Sequence, residues 1–295
     1  MRTSASIALL ISVAVGYVHA AGTPVNVARQ ADAPVVQLAN DAGSFKFAVL
    51  GNSGSGEKAQ YELGEQMAAL RARFDYRTVL LLGGNIQGGE RPQDFVRKFE
   101  SPYRRLLEQG VEFRAARGTD DSREQRFYKL FNMQGGLYYT FSPAPGIQLF
   151  ALDSTAMTSA QIGWLEEQLN QSSSAWKIVF LHHPLYSSGR RRGSDGALRK
   201  ILEPLFLKYN VSVVFSGRDD FYERITPQKD ILYFVVGAGG MARQGDIDRS
   251  SGLTASAFDT DLTFLAAEVS GDSLSFNVIS RAGQTVDSGR VLRRK

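Results

Sequence analysis

Apolar residues in this chain come in short runs, and most of them run straight into a polar turn that contains glycine. Phe45 to Leu50 (FKFAVL) is followed at once by Gly51-Asn52-Ser53-Gly54-Ser55-Gly56. Thr78 to Leu82 (TVLLL) runs into Gly83 to Gly89, and Glu112 to Ala116 into Arg117-Gly118-Thr119-Asp120-Asp121. Val211 to Phe215 (VSVVF) runs into Ser216-Gly217-Arg218-Asp219-Asp220. Runs of this length and composition predict buried strands. Between them, helical spacing covers Glu57 to Phe74, Pro92 to Glu108 (divided at Pro102), Ser159 to Gln171 and Asp195 to Tyr209. Gly136 to Phe141 and Ile147 to Leu152 predict a β-pair around Pro143-Ala144-Pro145-Gly146. Further strands are predicted at Ile231 to Val236, Leu262 to Val269, Ser273 to Ile279 and Thr285 to Leu292. The front of the chain alternates strand and helix and the back is rich in strands. The expected class is therefore α/β, a four-layer α/β/β/α sandwich of two mixed sheets flanked by helices.

The strand Ile178 to Leu181 leads into His182-His183-Pro184, which holds two of the three histidines. Proline ends the ladder there, and in open α/β sheets ligands bind beyond the carboxyl ends of strands. One histidine at such a corner is commonly a hydrogen-bonded packing residue. An adjacent pair marks a candidate for metal ligation or proton transfer. The turns at Asn52, Gly84, Thr119, His182 and Arg218 are expected to share one edge.

Composition adds limits. Arg2, the apolar stretch Ile7 to Val15 and Val18-His19-Ala20 have the layout of a cleaved signal peptide over residues 1–20. The stretch is too short to span a bilayer comfortably. Residues 21–43 read as a linker and 44–295 as a single domain, in a protein expected to be secreted or periplasmic. With no cysteine, a large core rather than disulfides must hold it together. The net charge of +4 is mild. Arg190-Arg191-Arg192 and Arg293-Arg294-Lys295 read as solvated surface, without the interleaved aromatics that stack on bases. Neither a nucleic-acid partner nor a membrane anchor is expected, and no protein partner is legible.

In this order, the turns resemble the calcineurin-like metallophosphoesterases, specifically the purple acid phosphatase-like branch. The pieces that carry the resemblance are FAVLGNSGSG, LLLGGNIQGG, VFLHHPLYSSG and FSGRDDFYER. The family motifs are GDxG, GDxxY, GNH[DE], VxxH and GHxH, and in active members they coordinate two divalent or iron ions. Carried over residue by residue, the GDxG aspartate is Asn52, and the aspartate and tyrosine of GDxxY are Gly84 and Gln87. The GNH[DE] asparagine is Thr119 and its histidine, which would assist catalysis, is Asp120. The two GHxH histidines are Arg218 and Asp220. Only His182 keeps its ligand among seven positions. The resemblance therefore implies a phosphoric monoester hydrolase fold, acid phosphatase-like, with its dinuclear centre and activity lost: a pseudoenzyme, with no cofactor expected.

Alternatives stay open at this point. Residual or altered phosphate ester hydrolysis is one. Asp120, Asp220 and His182 are a candidate site for a single hard cation, weighed against pairing of Arg218 with those carboxylates. Asn85, His182, His183 and Arg218 are candidates for binding a phosphate or phosphoester without metal. Gly54 to Ala59 fits the dinucleotide pattern GxGxxA but lacks the acidic residue after the next strand, and Glu57 stands where a P-loop needs lysine. Gly51-Asn52-Ser53 resembles the nucleophile block of some serine esterases, yet Val179 occupies the place of the acid that orients their base.

Overall fold

The computed structural model describes residues 38–294; the predicted signal peptide and most of the predicted linker lie outside the described residues. Thirteen strands form two mixed sheets. The first holds β1 (Phe45–Leu50), β2 (Thr78–Leu82), β3 (Glu112–Ala116), β11 (Thr263–Ser270), β12 (Ser273–Ser280) and β13 (Thr285–Leu292) in the order β13-β12-β11-β1-β2-β3. The second holds β4 (Tyr139–Ala144), β5 (Ile147–Ala151), β6 (Trp176–Leu181), β7 (Val213–Ser216), β8 (Tyr222–Ile225), β9 (Leu232–Val236) and β10 (Thr254–Phe258) in the order β10-β8-β9-β7-β6-β5-β4. The parallel strands are β1, β2 and β3 in one sheet, with β3 at its edge, and β5, β6, β7 and β9 in the middle of the other. Those inside the sheets, β2, β7 and β9 above all, read as near-continuous apolar runs, since crossover helices cover such strands on the outside while the partner sheet covers them within.

Aromatic rings join the two sheets. Phe47 of β1 meets Phe215 of β7 edge-on at 6.0 Å, and Phe234 of β9 meets Phe276 of β12 at 5.0 Å. On the outside of the second sheet, α4 (Ser159–Gln171) and α5 (Gly196–Lys208) set Leu165, Leu169, Leu198, Leu202 and Phe206 against Val179, Leu181 and Val214. Thr158 and Asp195 begin these helices by accepting from the backbone amides of Gln161 and Leu198. The helix α1 (Lys58–Arg71) contributes Leu63, Met67 and Leu70 to the core around the first sheet. The four-layer α/β/β/α sandwich is the observed architecture. Among the described residues no helix is long and apolar enough to cross a membrane.

Two differences from the expected elements bear on the site. The helical stretch at 92–108 is broken into α2 (Pro92–Phe95), a π-turn at Val96–Glu100 and α3 (Arg104–Glu108), with the break around Pro102. Strands β8 and β10 carry no apolar run that would announce them. In β8, Glu223 is fully buried, which is tolerable because Ser188 and Thr254 hydrogen-bond to its carboxylate.

Candidate functional site

The carboxyl ends of β1, β2, β3, β6 and β7 converge where the two sheets meet. His182, one residue beyond β6, places Nδ1 2.9 Å from the carbonyl oxygen of Leu82, the last residue of β2. A carbonyl only accepts, so Nδ1 carries the proton and Nε2 is left as the lone-pair nitrogen. Beside it, a side chain on Gly217 would bring a Cβ within 2.6 Å of the same carbonyl, so only glycine permits this approach. The turn after β6 is pinned from below: Ser187 donates to Asp219 at 2.6 Å, and the Ser188 amide to Glu223 at 2.9 Å.

Asn52, Gly84, Gln87, Thr119, Asp120, His182, Arg218 and Asp220, gathered from five turns, line one cavity of about 230 Å³. Arg192 and Asp121 line it too, although sequence reasoning assigned neither to the site. Asn85 and His183 do not. Asn85 turns its amide to the Ala116 carbonyl and Gln125, while His183 is bracketed by Ser154 and Thr119.

Asp220 is the electrostatic hub. Its side chain is only 3% exposed and accepts from Asn52 Nδ2 at 2.9 Å. The same Nδ2 lies 3.1 Å from the Arg218 carbonyl, so two oxygens fix which end of the amide is nitrogen. Around this carboxylate stand Arg192 at 3.5 Å, Arg243 at 3.6 Å and Arg191 at 3.9 Å. Arg192 also donates to the Arg218 carbonyl. The expected pairing of Arg218 with the carboxylates is therefore corrected. Three other arginines surround Asp220, and the Arg218 guanidinium has no ion-pair partner among the described residues. Asn52 and Arg218 both have positive φ, 51° and 66°, a conformation that asparagine tolerates and arginine rarely adopts.

Gly84 has φ +65°, and a Cβ there would lie 2.7 Å from Asn52 Oδ1 and 2.8 Å from Asn52 Cα. The turns after β1 and β2 are zipped together by backbone bonds, Asn52 to Gly83 at 2.8 Å and Gly54 to Gly84 at 3.0 Å. Gln87 adds its side-chain amide to the Asn52 carbonyl at 2.8 Å. Beneath them, the buried Asp121 carboxylate accepts from the backbone amides of Gly84, Asn85, Ile86 and Gly118 and from Gln125. Burial pushes the Asp121 carboxyl above its ordinary range, opposed by those donors. It is a positioning residue that fastens the turns after β2 and β3 to each other.

Both histidines are held neutral. Burial lowers His182 to about 3, against the hydrogen bond to Leu82, with His183, Arg218 and Arg192 adding to the depression. Burial and then Arg218 lower His183 to about 4. The candidate cation site at Asp120, Asp220 and His182 does not assemble. Among the described residues no three His, Asp or Glu side chains form a metal-holding group, and guanidiniums crowd Asp220.

An α/β/β/α sandwich with its site at the joined carboxyl edges defines the class of protein. The sequence model of the calcineurin-like phosphoesterases matches residues 45–217, more than half of the chain, and the chain belongs to that family. It is 39% identical over 84 residues to purple acid phosphatase 1 of Ipomoea batatas, a match covering 27% of this chain. That match covers 18% of the relative, so the shared stretch is under a fifth of its length. Among solved structures, the GAP50 anchor in the inner membrane complex of Plasmodium superposes with a TM-score of 0.76 at 19% identity. That superposition covers 86% of this chain and 90% of the other. A purple acid phosphatase from yellow lupin (Lupinus luteus) seeds gives 0.68 at 15% identity, covering 86% of this chain and 55% of its own. These structural likenesses concern the fold.

Proposed function

We propose that this protein is a non-hydrolytic member of its family, in which side chains have taken over the space and charge of the dinuclear metal centre. The observation that carries the reading is Asp220, held by the Asn52 amide and surrounded by three guanidiniums. Two-metal hydrolysis needs anionic and imidazole donors that clamp both ions and generate hydroxide near neutral pH. At the place of the bridging carboxylate Gly84 offers no side chain, and Asn52 has the shape of aspartate without its charge. A permanent cation at position 218 repels a metal ion instead of ligating it. His182 alone remains, and a catalytic zinc normally keeps three protein ligands. Hydrolysis without metal would need another means of activating water, for which these residues supply no pairing of base and nucleophile. Structural use of the same architecture has a precedent in the Plasmodium anchor. The signal-peptide layout of residues 1–20 supports export.

The test is elemental analysis of the purified protein together with nitrophenyl phosphate turnover under added iron, manganese and zinc. The expected result is metal far below one equivalent and turnover no faster than buffer. A stoichiometric pair of ions with rapid ester cleavage would overturn the reading.

A further inference from the structure

We propose that the face around Phe127 is a self-association surface, on which a second copy of this chain docks about a two-fold axis with its charges crossed. This face lies beside the cavity, and the inference holds whether or not the cavity is catalytic.

Three observations lead here. The first is an open aromatic ring. A 3-10 turn at Arg123–Phe127 ends on Phe127, which is 63% exposed and is the one Phe, Tyr or Trp among the described residues that lies open to solvent. The ring is held in place, because the Arg126 guanidinium stacks over it at 4.5 Å. Arg126 itself is under-used. Its Nε is buried without an acceptor, and among the described residues its one ion pair is with Glu124 at 3.6 Å. An aromatic ring carrying such a guanidinium is the combination that protein interfaces favour at their centres.

The second observation is opposite charge on the two sides of one wall. Tyr128 separates a groove of about 670 Å³ from one of about 370 Å³. Glu90, Asp120 and Glu124 line the larger groove together with the buried Asp121, and no cation does. Arg114, Arg126 and Lys129 line the smaller one, and no carboxylate does. The third observation is that much of this charge is unmatched within the chain. Arg114 pairs with Glu112 at 2.7 Å, but Glu90, Asp120 and Lys129 have no ion pair among the described residues. A partner of a single sign could answer only one groove. A second copy answers both. A two-fold axis along the wall turns each acidic groove onto the basic groove of the other copy and brings Phe127 against its counterpart. Such an isologous contact needs one self-complementary patch, and the crossed charges fix its register by penalising like against like.

The experiment is sedimentation velocity of the full chain over a concentration series, in about 0.05 M and about 1 M sodium chloride, between which charge screening changes severalfold. A reversible monomer–dimer equilibrium should appear at low salt and weaken about tenfold or more at high salt. Phe127→Ser should weaken it by about tenfold or more while the far-ultraviolet circular dichroism stays that of the parent protein. Glu124→Lys and Lys129→Glu should each weaken self-association, because each sets like charges across the axis. Mixed in equal amounts, these two variants should pair with each other far better than either pairs with itself, since the reversed charges then meet as opposites. That rescue distinguishes a contact between copies from an effect within one chain. A protein that stays monomeric at low salt would overturn the proposal, as would a dimer indifferent to Phe127→Ser or charge variants that fail to rescue each other. Species that keep growing with concentration would overturn the two-fold arrangement. A chain that stays monomeric and binds a different protein through Phe127 would also overturn it, because the occupant would not be a second copy.

Discussion

Asn52 Nδ2 lies 2.9 Å from Asp220 Oδ1, so two positions to which the family resemblance assigns metal ligands are hydrogen-bonded directly to each other. An aspartate at position 52 would set two carboxylates against one another in a buried place. Like charges at that distance cannot both ionise without a cation between them. Asn52→Asp is thus expected to lower stability at pH 7 by about 2–4 kcal/mol, with the deficit shrinking towards pH 5 as the pair takes up a proton. Chemical denaturation at both pH values checks this, and an equal deficit at the two would contradict it.

Asp220 balances three arginines, and its removal leaves them facing one another. Asp220→Ala is expected to cost about 1–3 kcal/mol, chiefly because it deprives the buried Asn52 amide of its acceptor. The three guanidiniums are partly exposed, so water screens most of the charge they are left with. Asp220→Asn, which keeps an acceptor for the Asn52 amide, should cost less. Urea unfolding of the two variants side by side measures the difference.

Gly84 cannot accept a side chain as the turns now lie. With φ at +65° and Asn52 atoms within 2.8 Å of the Cβ position, Gly84→Ala should destabilise by about 2–3 kcal/mol. A melting temperature unchanged by this substitution would show that the two turns can part.

The histidines set the response to acid. Both have folded pKa values below the ordinary 6.5, about 3 for His182 and about 4 for His183. The unfolded chain thus binds more protons than the folded one between about pH 6.5 and pH 4, and stability falls as the pH drops through that window. His182 is the more buried of the pair, and its share of the loss is about 3 kcal/mol by pH 4. Asp219 works the other way, because burial raises it to about 6 and stability from that group grows as the pH falls from about 6 to 4. Asp121, also raised by burial, acts in the same direction as Asp219, and where the two histidines outweigh these carboxyls the melting temperature declines from pH 7 to pH 4. His183→Asn should flatten the slope.

Export gives a fifth test. Expressed in a host with its secretory machinery intact, the mature protein should begin at Ala21, which N-terminal sequencing of the secreted material would read directly.

The sequence by itself determined the frame and the residues that occupy its turns. A parallel strand covered on both faces has to be apolar at nearly every position, so β1, β2, β6 and β7 stand out as runs, and the turns behind them show which residues stand where the family resemblance places ligands. It did not reveal β8, whose buried Glu223 reads as a surface residue until Ser188 and Thr254 are brought against it. Nor did it reveal Arg192, which belongs to a run of three arginines that looks like solvated surface. Tertiary structure decided that one of the three enters the cavity, that Arg218 is left without a counter-ion, and that Asn52 holds Asp220. Each of these depends on residues 26 to 168 positions apart meeting at one edge, and local patterning has no means of recording a contact closed over such distances.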